Sequence, residues 1–324
     1  MRYDIAVIGN DEAAFEILCI AGSSGQRSVG ILPEQRHSEW MICLALRRLV
    51  QQLLVDRSGP RQSLYARSGT PRLLHRLLAT AMSAEIQDHM ALLERLGVDL
   101  LLGEARLQCC NSIIVTSGMN CRRTLVEAEN VVIGSGLRRT AIHRPLGLVP
   151  FLRPESLLFG SCLPRRMCLL GGDGLGAGLA ALLSLFGVET RLLSSENRSC
   201  VMLELAHAAG VVIDTRWDKE ASNENLLQTL RSGEVVDCRR AVGFTEHLGL
   251  PSVGIEPDEH GQLWCASNLE TWCSGIFGIG DVVGFSSDIS KHPVDQSHRI
   301  LNRISHRIRR PHFLRIRAGT YARH

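Results

Sequence analysis

Short apolar runs alternate with longer amphipathic stretches along most of the chain. The chain opens with an apolar run, an alanine-rich helical stretch and a second apolar run, at residues 3–8, 12–21 and 28–32. The same order returns at residues 167–170, 175–186 and 189–193. Each group predicts a strand, a helix and a parallel strand, so the chain carries an internal repeat of one βαβ unit.

The remaining segments follow the same alternation. Residues 40–55, 71–96 and 201–209 have helical periodicity, whereas apolar runs typical of strands lie in 97–118, 124–133, 211–214, 235–241 and 275–285. This order predicts an α/β fold with two Rossmann-like nucleotide-binding domains.

Composition excludes several classes of protein. The chain has 324 residues, 45% of them hydrophobic and 21% charged, which suits two globular domains. A run of about 18 consecutive apolar residues is absent, so the sequence predicts no membrane span. The N-terminus does not have the charged-then-apolar pattern of a leader, and we therefore expect a cytoplasmic protein.

The net charge of +3 conceals a basic C-terminus with eight arginines from His298 onwards. Ile300, Ile304 and Ile308 recur there at helical spacing. This amphipathic helix either packs on the domain with a solvated arginine face, which we favour, or offers a basic surface to an anionic partner. We do not expect a nucleic-acid partner.

The eleven cysteines contain no C-x-x-C pair and no zinc-like spacing. We therefore predict no metal site and interpret the cysteines as reduced, buried thiols that act as small hydrophobic side chains.

The first βαβ turn departs from the G-x-G-x-x-G pattern that cradles a pyrophosphate. Its three positions are Gly9, Asp11 and Ala14, and Glu12 stands beside the aspartate. Two carboxylates near a phosphate are repulsive, by about 1–4 kcal/mol at 4 Å depending on screening. The turn therefore predicts weak binding of a pyrophosphate.

The second turn fits the pattern as Gly172-x-Gly174-x-x-Ala177. It predicts a site where a nicotinamide dinucleotide would place its pyrophosphate at a helix N-terminus, although the same glycines also suit a turn without a ligand. Glu196, just past the next strand, is a candidate to hold ribose hydroxyls, whereas the nearby Ser194, Ser195 and Arg198 suit a 2′-phosphate. The choice between NAD and NADP stays open.

The motifs "YDIAVIG", "LGVDLLLGEARL", "ENVVIGSGLRRT", "RMCLLGGDGLGAGLA" and "GIFGIGDVVGF" occur in this order over almost the whole chain. Together they resemble the FAD-dependent pyridine nucleotide–disulfide oxidoreductase family. The resemblance implies that the first unit holds FAD and an inserted second unit holds NAD(P). It places the discontinuous FAD-type domain at 1–157 plus 275–324 and the NAD(P)-type domain at 158–274.

The resemblance also assigns roles to single residues on the flavin side. Asp281 matches an aspartate that bonds the flavin ribitol, and Gly280 lets the chain approach it. Gly136 lies in a turn near the cofactor, and Ala105 matches a backbone contact to adenine. Glu34 stands one place late for the acid that ends the second strand, where this chain has Pro33.

Other family features are missing from the sequence. The redox-active C-x-x-x-x-C loop is absent, the chain ends about where the family's dimerisation domain begins, and catalytic residues stay unknown. We therefore expect a divergent oxidoreductase that passes hydride between a nicotinamide dinucleotide and flavin, without the disulfide, to an unidentified electron acceptor. The alternative is a non-catalytic nucleotide-binding or scaffold relative that has lost tight FAD binding.

Overall fold

The computed structural model describes residues 2–34, 38–57, 71–118, 121–139, 151–152, 163–194, 201–215, 234–239, 241–284, 290 and 292–308. The helices are α1 (Glu12–Ser23), α2 (Glu39–Arg57), α3 (Pro71–Arg95), α4 (Gly174–Leu185), α5 (Val201–Ala208) and α6 (Pro293–Ile308). The strands of the first unit are β1 (Arg2–Ile8), β2 (Ser28–Leu32), β3 (Asp99–Leu102), β4 (Glu104–Cys109), β5 (Ser112–Ser117), β6 (Arg122–Ile133) and β7 (Leu137–Arg139). The later strands are β8 (Phe151–Leu152), β9 (Arg166–Leu170), β10 (Glu189–Leu193), β11 (Val212–Asp214), β12 (Glu234–Asp237), β13 (Ala241–Gly243) and β14 (Ile276–Gly278).

A seven-stranded sheet forms the first unit, in the order β3-β2-β1-β6-β5-β4, with β14 also paired to β6. Strands β3, β2, β1, the end of β6 and β14 run parallel, whereas β4, β5 and the start of β6 form an antiparallel meander. The apolar run of β1 is buried on both faces, as expected for a central parallel strand. The carboxyl ends of β1 and β2 therefore meet at one edge, where a ligand site is expected in such sheets.

The second unit is a five-stranded parallel sheet in the order β11-β10-β9-β12-β8. Helix α4, rich in alanine and leucine, packs on it, and nine of its twelve residues are buried. The two sheets confirm the predicted α/β fold with two Rossmann-like units.

Contacts near the two crossings assign short segments of the chain to one unit or the other. Strand β8, at residues 151–152, already pairs with β12 in the second sheet. On the return, Leu248 and Leu250 belong to the buried core of the first sheet, and the Leu107 N–H donates to the Leu248 carbonyl (2.8 Å). These contacts favour crossings before residue 151 and before residue 248, while the boundaries at 157/158 and 274/275 stay a prediction.

Helices α2 and α3 connect the units. Their buried leucines, including Leu46 and Leu78, share one core with Leu175 and Leu182 of α4. Helix α6 instead packs on α1, and Ile300 and Ile304 are fully buried. The predicted amphipathic helix is therefore packed against the first unit, while the residues from 309 onwards lie outside the described part.

Two predicted strands are shorter in the structure. The run 235–241 divides into β12 and the start of β13, and the run 275–285 ends as a strand at Gly278. Gly280 has φ of +75°, which turns the chain into a 3-10 helix over Gly280–Val282. Asp281 thus lies in that turn and not on a strand.

The expectation that the cysteines are buried is wrong for three of them. Cys109, Cys110 and Cys121 are exposed, whereas Cys168 and Cys238 are buried. Among the described residues, the groups of histidine, cysteine and acidic side chains include none that could hold a metal ion. The described helices include none that is long and apolar enough to cross a membrane.

Candidate functional site

The first βαβ turn is closed tightly around Gly9. Gly9 has φ of +127°, and a Cβ atom there would lie 1.9 Å from the Gly134 carbonyl oxygen. Two backbone bonds fix this approach, from Gly9 N–H to the Ile31 carbonyl (3.0 Å) and from Gly134 N–H to the Ile8 carbonyl (2.8 Å). Only glycine suits this position, because a side chain would need both a strained backbone and a displaced neighbouring strand.

Asp11 is the N-cap residue of α1. Its Oδ1 accepts a hydrogen bond from the Ala14 N–H at 2.7 Å, and the residue is 7% exposed. A helix N-terminus offers free N–H groups and positive charge, which is where a dinucleotide's pyrophosphate binds in this kind of unit. In this chain the Asp11 carboxylate takes that place.

Three glycines make room for the Asp11 side chain. A Cβ atom at Gly280 would lie 2.4 Å from Asp11 Oδ2, and Cβ atoms at Gly134 and Gly136 would each lie 3.2 Å from an Asp11 atom. The position of Gly280 is held by its N–H, which donates to Gln296 Oε1 (2.8 Å). Gly136 and Gly280, which the sequence assigned to a flavin, therefore lie against the chain's own carboxylate.

The surroundings of Asp11 disfavour its charge. Burial raises the pKa of Asp11 to about 8, Asp281 and Glu12 add to the rise, and the hydrogen bond from the Ala14 N–H opposes it. Burial and Asp281 also raise the pKa of Glu12, with His292 acting in the opposite direction. Three carboxyl groups thus crowd the N-terminus of α1.

The second turn repeats these hydrogen bonds one residue earlier than the predicted frame. Gly171 has φ of +105°, and its N–H donates to the Leu193 carbonyl (2.8 Å), as Gly9 does to Ile31. Asp173 caps α4, and its Oδ1 accepts from the Gly176 N–H at 2.9 Å. By hydrogen bonding, Gly171, Asp173 and Gly176 correspond to Gly9, Asp11 and Ala14.

The three residues that the sequence assigned to the phosphate-binding pattern, Gly172, Gly174 and Ala177, do not repeat the contacts of the first turn. A Cβ atom at Gly172 would lie 2.0 Å from the Ser194 Oγ, while one at Gly174 would lie 3.3 Å from the Cys43 Sγ. Ala177 is fully buried in α4. Nicotinamide binding over Gly172, Gly174 and Ala177 stays a prediction, and Glu196 lies outside the described residues.

A cavity of about 820 Å³ opens at the carboxyl edge of the first sheet, between that edge and helices α2 and α3. Gly9, Ala105 and Ser135 line it from the sheet side, and His75 and Met82 line it from α3. The residues of α2 and α3 in this lining were not predicted, because helical periodicity alone does not show which faces border a cavity.

Among the polar atoms of this cavity's lining residues, the Ser135 Oγ and the Arg138 Nε are buried without a hydrogen-bond partner in the described part of the chain. Arg138 uses another nitrogen, Nη2, to form an ion pair with Glu246. Buried polar groups are normally satisfied, so these two atoms favour a cavity that receives a polar ligand.

A smaller cavity of about 170 Å³ adjoins the same edge, and Gly9, Glu34, Phe15, Trp40 and His89 contribute to its lining. Glu34 is exposed, and its Oε2 accepts a hydrogen bond from the Gly118 N–H at 2.6 Å. The structure thus brings Gly9, Glu34 and Ala105 to the two cavities.

Gly280 and Asp281 do not line either of these two cavities. Asp281 is exposed, and its backbone carbonyl accepts a hydrogen bond from the Gln262 Nε2 at 3.1 Å.

The described residues at the head of α1 do not fit an FAD pyrophosphate, although the large cavity beside them could receive a polar ligand. The large cavity has room and unsatisfied polar atoms, but the Ala14 N–H at the head of α1 already bonds to Asp11. A phosphate there would also meet the Asp11 side chain, which fills the space, and the nearby acids Glu12 and Asp281, whose charges repel it. FAD held through its pyrophosphate at this turn does not fit this chain.

No protein-family model matches the chain. The soluble pyridine nucleotide transhydrogenase of Hahella chejuensis is 25% identical over 321 residues, covering 88% of this chain and 67% of that protein. That of Vibrio parahaemolyticus is 29% identical over 273 residues, covering 75% of this chain and 56% of that protein. The chain thus spans about two thirds or less of these relatives.

A solved structure of a flavoprotein disulfide reductase has a similar fold. The HOCl-induced flavoprotein disulfide reductase RclA from Escherichia coli, solved as a Cu(II) complex, superposes with a TM-score of 0.63 over 94% of this chain and 71% of that one, at 16% identity. The two βαβ units therefore form a two-unit Rossmann-like fold that this chain shares with RclA. The chain is thus similar to proteins of the pyridine nucleotide–disulfide oxidoreductase family.

Proposed function

We propose that this chain is a nucleotide-binding member of its family that does not hold FAD tightly and does not catalyse the family's flavin reaction. The observation that carries the proposal is the Asp11 carboxylate, which caps α1 at 2.7 Å and is enclosed by Gly134, Gly136 and Gly280. A pyrophosphate and this carboxylate compete for the same helix N-terminus.

The proposed ligand is a nucleotide in the 820 Å³ cavity, with a nicotinamide dinucleotide as the first candidate. Ser135 and Arg138 support a polar ligand through their buried atoms without protein partners among the described residues. The relatives' names support a pyridine nucleotide and a soluble, cytosolic setting. We propose that the first unit, interrupted by the second, supplies this cavity.

The second candidate function is a flavin-dependent oxidoreductase that passes hydride between nicotinamide and FAD to an unidentified acceptor. The size of the cavity favours it, because 820 Å³ lies in the range of cofactor sites. It requires a phosphate position other than the capped turn.

The absorption spectrum of the purified full chain tests the proposal first. We expect a colourless protein, and FAD added in a fluorescence titration should bind weakly. Asp11→Gly removes the carboxyl side chain from the pyrophosphate's path, so that no group there must stay protonated beside the phosphates, which should tighten FAD binding about tenfold to a hundredfold, or about 1–3 kcal/mol. Asp11→Asn, which keeps both the cap and a side chain in that path, should tighten binding less.

The matched control is Asp173→Gly, the same change at the second turn, which should leave FAD affinity unchanged. A yellow parent protein with tightly bound FAD would contradict the proposal and support the second candidate. Failure of nicotinamide dinucleotides and of adenine nucleotides to bind the parent would contradict nucleotide binding itself.

A further inference from the structure

Three cysteines come together on the surface of the first unit, away from the nucleotide turns. Cys109 and Cys110 lie at the turn between β4 and β5, and Cys273 lies in the loop before β14. The Cys110 and Cys109 thiols are both close enough to Cys273 to interact electrostatically with it.

Backbone hydrogen bonds hold both segments against strand β6. The Asn111 carbonyl, next to Cys110, accepts from the Ala128 N–H at 3.0 Å. The Gly275 carbonyl, two residues after Cys273, accepts from the Val131 N–H at 2.8 Å. The segments that carry the two cysteines are therefore both fixed on strand β6, at positions three residues apart.

The position of this cluster on the sheet separates it from the cavities. Ala128 pairs with Tyr3 near the amino end of β1, whereas Ile133 pairs with Ile8 at the carboxyl end, beside Gly9. Five residues of strand separate the two edges, which corresponds to roughly 17 Å at about 3.3 Å per residue. The cluster lies toward the edge opposite the nucleotide turn.

The accessibility of the two thiols differs. Cys110 is exposed, whereas Cys273 is partly buried against the core of the first sheet. Burial is the main cause that raises the pKa of Cys273. An exposed thiol that meets an oxidant first, beside a sheltered second thiol, is the arrangement of an attacking and a resolving cysteine.

We propose that Cys110 and Cys273 form a reversible disulfide, a redox modification site separate from the nucleotide site. With hydrogen peroxide as oxidant, the Cys110 sulfur attacks one peroxide oxygen, the O–O bond breaks, and a sulfenic acid and one water form. The Cys273 sulfur then attacks the sulfenic sulfur, and the hydroxyl group leaves with a proton as a second water. Two thiols lose two electrons in total, and the peroxide gains them.

Reduction by a small thiol reverses the bond. The incoming thiolate attacks one sulfur, a mixed disulfide forms, and a second thiol releases the reduced pair. The pair does not reconstruct the family's C-x-x-x-x-C loop, because its cysteines come from β4–β5 and from the segment before β14.

The test treats the native full chain with hydrogen peroxide, blocks the remaining thiols with an alkylating reagent, and maps digested peptides by mass spectrometry. We expect a cross-linked Cys110–Cys273 peptide pair, lighter by two hydrogen atoms, that dithiothreitol separates. Trp272, adjacent to Cys273 and 85% exposed, supplies a second readout, because a neighbouring disulfide should quench its fluorescence reversibly.

Cys110→Ser and Cys273→Ser should each abolish the cross-link and the reversible fluorescence change. The control Cys121→Ser removes another exposed cysteine and should preserve both. The proposal is overturned if oxidation yields a Cys109–Cys110 bond instead. It is overturned equally by higher oxides of Cys110 without a cross-link, or by a Cys110–Cys273 bond that forms only in urea.

Discussion

Asp11 and Asp173 occupy equivalent positions in the two βαβ units, but their surroundings differ. Each follows a strand by three residues, adopts an extended backbone and accepts a hydrogen bond from the third residue on, at 2.7 and 2.9 Å. Asp11 is enclosed by Gly134, Gly136 and Gly280, whereas Asp173 is partly exposed at the head of α4.

The difference shows that the same N-cap hydrogen bond can involve either a solvated aspartate or an enclosed one, and that only enclosure disfavours the aspartate's charge. A capping carboxylate is stabilising at a helix N-terminus when water can still reach it. Enclosure removes that water, and Glu12 and Asp281 add like charges, so the pKa of Asp11 rises to about 8. The first turn is therefore a closed, acid-rich site, and the second is an open one.

The largest expected effect is a loss of stability on adding a side chain at the first glycine of each turn, and it should be greater in the first turn. Gly9→Ala places a Cβ 1.9 Å from the Gly134 carbonyl oxygen and retains a φ of +127°, so we expect a loss of about 2–6 kcal/mol in the free energy of unfolding. Gly171→Ala has a comparable φ of +105° but meets its nearest atom at 3.1 Å, so a loss of about 1–3 kcal/mol is expected. Urea unfolding of both variants, followed by circular dichroism, measures the difference.

Gly97→Ala is the matched control for the backbone strain, because its φ is +78° and no atom lies within 4 Å of the added Cβ. It should resemble Gly171→Ala. Equal losses for Gly9→Ala and Gly97→Ala would show that the close approach of Gly9 to Gly134 contributes nothing.

The second effect is a pH dependence carried by Asp11. The folded protein keeps the Asp11 proton up to about pH 8, whereas the unfolded chain releases it near the ordinary value of 3.8. Between these values the folded state holds more protons, so stability falls as the pH rises, by up to about 1.4 kcal/mol per pH unit. Asp11→Asn removes this loss while keeping the cap.

The measurement is urea unfolding of the parent and Asp11→Asn proteins at several pH values between 5 and 8. The stability difference should grow in favour of the variant across this window. Asp281→Asn serves as a partial control, because removing one like charge should lower the pKa of Asp11 and move the fall in stability to lower pH. A difference that is constant with pH would contradict the enclosed carboxylate.

The sequence predicted the α/β class and the repeated unit because apolar runs such as β1 and α4 determine which faces are buried. It did not predict the surroundings of Asp11. The glycines that enclose the carboxylate are more than 120 residues away in the chain, and only the parallel pairing of β1, β6 and β14 brings them together. The thiol cluster was missed for the same reason.

The sequence also aligned the second turn one residue too late, for a different reason. Gly171, Gly172, Gly174 and Gly176 permit two frames of the phosphate-binding pattern, and spacing alone does not choose between them. The bonds from Gly171 N–H to Leu193 and from Gly176 N–H to Asp173 identify the structural frame. Glycine-rich turns therefore need hydrogen bonds, and not only spacing, to be aligned.

The smallest expected effect concerns the caps themselves. Asp173→Ala removes the acceptor of the Gly176 N–H and should cost about 1 kcal/mol of stability, within a range of about 0.5–2, whereas Asp173→Asn should be nearly neutral. Asp11→Ala at pH 7.5 removes a cap of the same kind but also relieves a buried, repelled carboxyl group, so its net cost should be smaller than that of Asp173→Ala. Thermal and urea unfolding of the three variants at this pH give the ranking. If Asp11→Ala costs more than Asp173→Ala, the Asp11 carboxylate stabilises the first turn on balance, and the view of that turn as an electrostatically unfavourable site is incorrect.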